Sequence, residues 1–180
     1  MFGGGTLKKN LFIWQFACFV AAVLCGTLLH FLYDWTNENT AVVLISAVNE
    51  STWEHMKILY FPMLAFSIIQ YRYFKNSDCY WWVKSAGIMI GLIAIPILFY
   101  TYNGAIGKSP DWLNITFFFI AALAGSFTEY ILFRKAKITR KSKLLPFFLI
   151  LLIGAMFIYF TFDPPMIPLF KDPLTGSYGI

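Results

Sequence analysis

AVVLISAVNESTWEHMKILYFPMLAFSII, residues 41–69, sets the terms on which the whole chain folds. Residues 41–48 are apolar but short: as a helix they would cover roughly 12 Å at 1.5 Å per residue, against roughly 30 Å of bilayer hydrocarbon. The segment therefore reads as re-entrant or interfacial, not as a crossing of its own. Asn49, Glu50, Ser51 and Thr52 interrupt it, and from Trp53 the chain is apolar again over a length that spans. Ser51 followed by Glu54 has capping-box spacing, so a new helix is expected to start there. Its first turn carries free N–H groups and a partial positive charge.

Outward from this stretch the chain keeps the same character. Of 180 residues, 59% are hydrophobic and 13% charged, about half the charged share of a soluble domain. Mean hydropathy is +0.66. Aromatics reach 20% and gather at the ends of apolar runs, where membrane proteins keep their interfacial belts. Runs at 11–33, 53–74, 81–102, 112–133 and 144–162 have the length of spanning helices or fall just short of it. The expected fold is an all-α polytopic membrane bundle, a single domain of five transmembrane helices with a non-helical tail over 163–180. MFGGGTLKKN leads into an apolar run too long for a signal-peptide core, so no cleaved leader is expected. Pro62 and Pro96 should free the carbonyls of Ile58 and Leu92, which within a bilayer calls for protein or water beside them. Three cysteines, Cys18, Cys25 and Cys79, are odd in number and form no Cys-x-x-Cys pair, which argues against a disulfide framework or a thiolate zinc site.

Charge sets an orientation. Lys8, Lys9, Arg72, Lys75, Lys84 and the basic residues of RKAKITRKSK (134–143) fall at one end of a five-span bundle, leaving only Lys57, Lys108 and Lys171 elsewhere. That end is expected in the cytoplasm of a bacterium, with the N-terminus inside the plasma membrane and the C-terminus outside it. The 134–143 loop is expected to touch anionic lipid; no nucleic acid is expected as a partner. Of the acids, only Asp78 and Glu129 sit toward the basic end. Glu129, about one turn inside the basic loop, is expected to pair structurally with Arg134 or Lys84.

Both histidines and the remaining acids belong to the opposite end. Helical spacing puts Glu50, Glu54 and Lys57 on one stripe and Ser51 with His55 on the next; His30 and Asp34 are i, i+4 near the end of the first span. If the first two spans pack together, Glu50, Glu54, His55, His30, Asp34 and Lys57 converge. Imidazole with carboxylate suits a divalent metal held by His30, Glu54 and His55, and equally proton transfer. A structural account of the same residues stands beside these: Glu54 as the helix cap's partner, Lys57 as its neutralising charge and Trp53 as an interfacial anchor. The order His-Glu-x-x-His is absent.

DPPMIPLFKDPLTGSYGI, 163–180, has too many prolines and glycines for a helix and too many apolar residues for a solvated tail. It is expected to fold back over the mouth as a lid, with Asp163, Asp172 and Tyr178 facing the site, or else to lie on the headgroups. SAVNESTWEHMK together with PLFKDPLTGSYGI resembles a family of small bacterial integral membrane proteins known as a domain of unknown function, over nearly the whole chain. That resemblance implies a helical membrane protein and no chemistry. In size and hydrophobicity the chain is also similar to the vitamin-binding subunits of energy-coupling-factor transporters, which have six spans where the charge pattern here gives five. The expected function is an outward-facing polar pocket that binds or transports a small polar molecule, a cation or a lipid headgroup. The alternatives are an intramembrane, metal-assisted hydrolase or headgroup transferase using the same residues, and a non-catalytic subunit. Small residues at Ala17, Ala21, Ala22 and Gly26 and at Ala121, Ala122, Ala124 and Gly125 allow close helix packing in either case.

Overall fold

Apolar runs of this length must satisfy their backbone groups internally when water is absent, and a helix does so within one segment. The computed structural model describes residues 6–74, 77, 79–135 and 144–180, the side chains of 6–9 and 144 excepted. It contains five α-helices: α1 (Thr6–Trp35), α2 (Thr52–Phe74), α3 (Tyr80–Ala105), α4 (Asp111–Lys135) and α5 (Leu144–Phe162), followed by a 3-10 turn at Pro168–Phe170. Among the described residues no strand forms; the one β-bridge joins Lys171 to Tyr178 in the tail. Lys75, Asp78, Lys137, Arg140, Lys141 and Lys143, and the side chains of Lys8 and Lys9, lie outside the described residues.

Four helices, α1, α3, α4 and α5, are long and apolar enough to cross a membrane. They turn large apolar side chains outward, among them Phe16 and Leu24, Ile93 and Ile97, Leu123 and Phe127, and Phe148 and Leu152. That surface suits lipid tails and not water. α2 is less apolar because it carries Glu54, Lys57 and Arg72, and its position explains how it can. It packs on α1, α3, α4, α5 and the 3-10 turn, and its residues Ile58, Leu59, Tyr60 and Met63 are almost fully buried in the core. Around Glu54 and Lys57 its neighbours are protein, while its later turns expose Ile68, Ile69, Tyr71 and Tyr73.

Close approach depends on small residues. Ala22, Ala121 and Ala122 are fully buried between helices, and a Cβ added at Gly125 would stand 2.8 Å from the Gly87 carbonyl of α3. Gly26 allows the same on α1, where an added Cβ would meet Phe118 of α4 at 2.5 Å and the Ile58 carbonyl of α2 at 3.1 Å. That carbonyl is the one deprived of its N–H donor by Pro62. Cys18, Cys25 and Cys79 are free thiols.

Toward the end of the bundle where α4 finishes, a second polar group is buried. Lys84 of α3 and Glu129 of α4 form an ion pair with neither side chain exposed, and Lys84 also donates to Gln70 of α2 at 2.9 Å. Of the two partners expected for Glu129, Lys84 holds it; Arg134 stays exposed, donating to the Tyr130 hydroxyl at 3.3 Å. The physical reason is depth: a carboxylate this buried needs a cation equally removed from water.

The apolar segment 41–48 is not a helix but a run of turns. Its backbone finds partners on the helices instead: Ala47 N–H donates to the Leu29 carbonyl of α1 at 3.2 Å. Val43, Ser46 and Ala47 are buried while Leu44 and Ile45 face outward.

Removing one member of the Lys84–Glu129 pair leaves the other charged and dry, which typically costs about 3–5 kcal/mol. Lys84→Met is therefore expected to lower unfolding stability in detergent by that order, and the double change Lys84→Met/Glu129→Leu to recover most of it. Chemical or thermal denaturation of the three proteins checks this.

Candidate functional site

The opposite end of the bundle brings together the end of α1, the start of α2, the α3–α4 connection and the tail. α2 begins at Thr52, with Ser51 as its N-cap: the Glu54 N–H donates to Ser51 Oγ at 3.3 Å. The reciprocal half of the capping box is not made. Ser51 N–H is already taken by Asn49 Oδ1 at 2.9 Å, and the Glu54 carboxylate turns inward.

There Glu54 and Lys57 form a dry ion pair at 2.5 Å, with 2% and 0% of the side chains exposed. Lys57 Nζ also donates to the Val43 carbonyl at 3.1 Å and to Thr161 Oγ1 of α5 at 2.8 Å. Glu54 accepts from Val48 N–H at 3.1 Å and lies 3.0 Å from the same Thr161 hydroxyl. The pair thereby ties segment 41–48 and α5 to α2. Every oxygen and proton of it is used, so it reads as a structural hub, and neither residue lines the cavity described next.

Glu50 goes the other way. It precedes α2, so the i, i+4 relation to Glu54 does not exist. Its carboxylate instead stands between two imidazoles, Oε1 3.5 Å from His30 Nε2 and Oε2 3.6 Å from His55 Nε2. The two rings are 5.3 Å apart. His55 Nδ1 lies 2.9 Å from the Ser51 carbonyl; a carbonyl only accepts, so Nδ1 carries the proton. Asn49 holds the approach to Glu50, its Nδ2 donating to the Gly179 carbonyl at 3.0 Å.

These three side chains form one wall of a cavity of about 470 Å³, within the range of small-molecule sites. Apolar walls come from Ile58, Ile95, Phe99, Phe117 and Phe118, and further polar groups from Asn103, Ser109 and Asn114. The last three are mutually bonded, Ser109 Oγ donating to Asn114 Oδ1 at 2.7 Å and Ser109 N–H to Asn103 Oδ1 at 2.9 Å. None of the three was among the residues that the sequence singled out. The signal that would have found them is topological: antiparallel α3 and α4 return their joint to the end that holds His30.

The structure thus brings His30, Glu50 and His55 together, and takes Glu54 and Lys57 away from them. Their donor atoms lie within 4.8 Å of one another, so the carboxylate available to a metal beside the histidines is Glu50 where the spacing pointed to Glu54. Asp34 is exposed one turn beyond His30 and is not on the cavity wall.

The tail does fold back. Phe170 is buried against Trp53, with ring centroids 4.7 Å apart, and Ile180 N–H reaches the Thr161 carbonyl at 3.3 Å. Gly179 sits at φ +65°, and an added Cβ would be 2.7 Å from that same carbonyl. The lid residues differ from those expected: Pro173 and Leu174 line the cavity. Asp172 is buried as the organiser of the turn, accepting from Leu174 N–H at 2.7 Å. Asp163 accepts from Tyr159 at 2.9 Å, and Tyr178 packs on the core.

The chain belongs to a family of unknown function, DUF6512, whose model matches residues 6–180. No curated protein and no solved structure matches it.

Lys57→Met should strand Glu54 in the interior, with a loss of about 3 kcal/mol or more. Because segment 41–48 and Thr161 share that hub, limited proteolysis is expected to cut at 41–48 and in the tail sooner than in the parent protein.

Proposed function

We propose that this member of DUF6512 is an integral membrane protein in which all five helices cross the bilayer and the end cavity binds a small amphiphile. Its headgroup would lie against His30, Glu50 and His55, and its apolar part against Phe99, Phe117 and Phe118. One observation carries this reading, the two-sided lining of the cavity: ionisable and amide groups on some walls, aromatic and aliphatic ones on the others. Phe31, Ile115 and Phe119 line it while remaining exposed on the outside of α1 and α4. A molecule dissolved in the bilayer can therefore reach the cavity sideways. α2 crosses although it is the least apolar helix, because Glu54 and Lys57 satisfy each other inside the protein and Arg72 stands exposed in its last turn.

Orientation follows from Arg72, Arg134 and Lys135, which stand at the end remote from the cavity. The positive-inside rule then sets the cavity on the extracytoplasmic side, with Arg134 and Lys135 toward the anionic lipid of the cytoplasmic leaflet. Segment 41–48 lies at the cavity-side interface, its Leu44 and Ile45 toward lipid.

A second reading, hydrolysis or headgroup transfer on the bound molecule, is favoured by the two imidazoles and the carboxylate standing where the headgroup would sit. Incubation of the pure protein with a lipid extract, followed by mass spectrometry for cleaved headgroups, separates the two.

The test of binding is a thermal-shift series with single-chain amphiphiles carrying zwitterionic, cationic or polyhydroxylated heads, and with the same heads lacking a chain. A fitting amphiphile at a hundredfold excess over its Kd should stabilise by about 2.7 kcal/mol. Thr27→Trp, which fills the rim, should abolish the shift without changing the unliganded midpoint. No shift with any chained amphiphile would remove the proposal.

A further inference from the structure

Glu50 has no lysine or arginine partner among the described residues; its ion-pair neighbours are the two histidines. Lys57 is committed to Glu54. The distances to the histidines, 3.5 and 3.6 Å, exceed those of a charge-assisted hydrogen bond, which are about 2.7–2.9 Å. His55 sharpens the point. Its Nδ1 proton is spent on the Ser51 carbonyl, so an Nε2 without a proton of its own would turn a lone pair toward a carboxylate oxygen. Two lone pairs facing each other repel unless a cation stands between them.

The spacing fits one. Metal–nitrogen and metal–oxygen bonds of about 2.0–2.2 Å give a coordination tetrahedron edges of about 3.4 Å. Each imidazole nitrogen stands within a few tenths of an ångström of that edge from its own oxygen of Glu50, and with all the ligand atoms within 4.8 Å of one another a small side-chain rotation would close the set around one ion. An imidazole whose remote nitrogen donates to a backbone carbonyl is the usual state of a metal-bound histidine. Glu50 is steadied from behind by Asn49, which bonds both Ser51 N–H and the Gly179 carbonyl. His30 Nδ1 is buried without a partner among the described residues. All three donors are part-exposed on the cavity wall, so an ion can arrive and keep one coordination position toward the cavity.

We infer that His30, Glu50 and His55 form a binding site for one divalent transition-metal ion, open toward the cavity. Two imidazoles and one carboxylate select zinc, or another borderline ion such as ferrous iron, over calcium and magnesium, which prefer all-oxygen sites. This goes beyond the proposed binding of an amphiphile and stands or falls separately, because the ion itself is the probe.

The experiment uses the full chain purified in detergent with its affinity tag removed. Elemental analysis after equilibration with Zn2+ and desalting should find about one equivalent per chain, and replacement by Co2+ should give the intense visible bands of a four-coordinate site. His30→Ala, Glu50→Ala and His55→Ala should each weaken binding by more than the roughly 10–100-fold that loss of an outer hydrogen-bond partner costs. Asp34→Ala, which removes a negative charge near His30 but off the cavity wall, should weaken affinity far less than loss of any of the three ligands. Where an alanine variant does not fold, His30→Gln, Glu50→Gln and His55→Gln carry the same comparison. Less than about a tenth of an equivalent of bound metal in the folded parent protein, or cobalt bands that survive loss of all three side chains, would overturn the site. Amphiphile shifts are read on metal-free protein and metal content on amphiphile-free protein, so failure of either proposal is distinguishable from failure of the other.

Discussion

Two charges taken out of water must answer each other, and the rest of this end of the molecule follows from how Glu54 and Lys57 do so. Their ion pair is dry, and a dry pair is tolerable only when its remaining lone pairs and protons are also used. Segment 41–48 supplies a carbonyl and an N–H, and α5 supplies the Thr161 hydroxyl. One hub therefore joins segment 41–48 and the start of α2 to α5, more than 100 residues further along the chain. Thr161 is also where the tail closes, through Ile180 N–H on its carbonyl. The lid and the loop that bears Glu50 are held by the same few side chains.

That hub also divides the charge. With Lys57 consumed, Glu50 is left with histidines for company, and a carboxylate between two imidazoles is a site in waiting where a salt bridge would have been inert. The division of labour is physical: what is buried is neutralised inside the protein, and what is half-exposed on the cavity wall is left available to a ligand. The Lys84–Glu129 pair repeats the first half of this logic at the other end.

Apolar length is a one-dimensional signal, so the helices were legible in the sequence: run 53–74 and helix Thr52–Phe74 differ at their bounds by a single residue. Even the capping serine was readable. The side-chain geometry around it was not. Helical spacing put Glu50, Glu54 and Lys57 on one stripe, but Glu50 lies before the helix, where periodicity says nothing about direction. Asn49 decides it, by taking Ser51 N–H and by binding Gly179 some 130 residues away, and no local pattern announces such a contact. Segment 41–48 was legible as too short to cross; its contacts were not, because beside its local turns it bonds Leu29, Glu54 and Lys57 on the helices. The tail's apolar residues told that it packs, while its acids, which looked functional, serve a turn and a tyrosine.

The central claim is that Glu54 and Thr161 are energetically one unit, joining α2 to α5 under the cavity. A double-mutant cycle with Glu54→Gln and Thr161→Val, read by unfolding in detergent, tests it most directly. The account predicts a coupling energy of about 1 kcal/mol or more, as for contacting residues in one network. Effects that add within about 0.3–0.5 kcal/mol, as independent sites do, would contradict it.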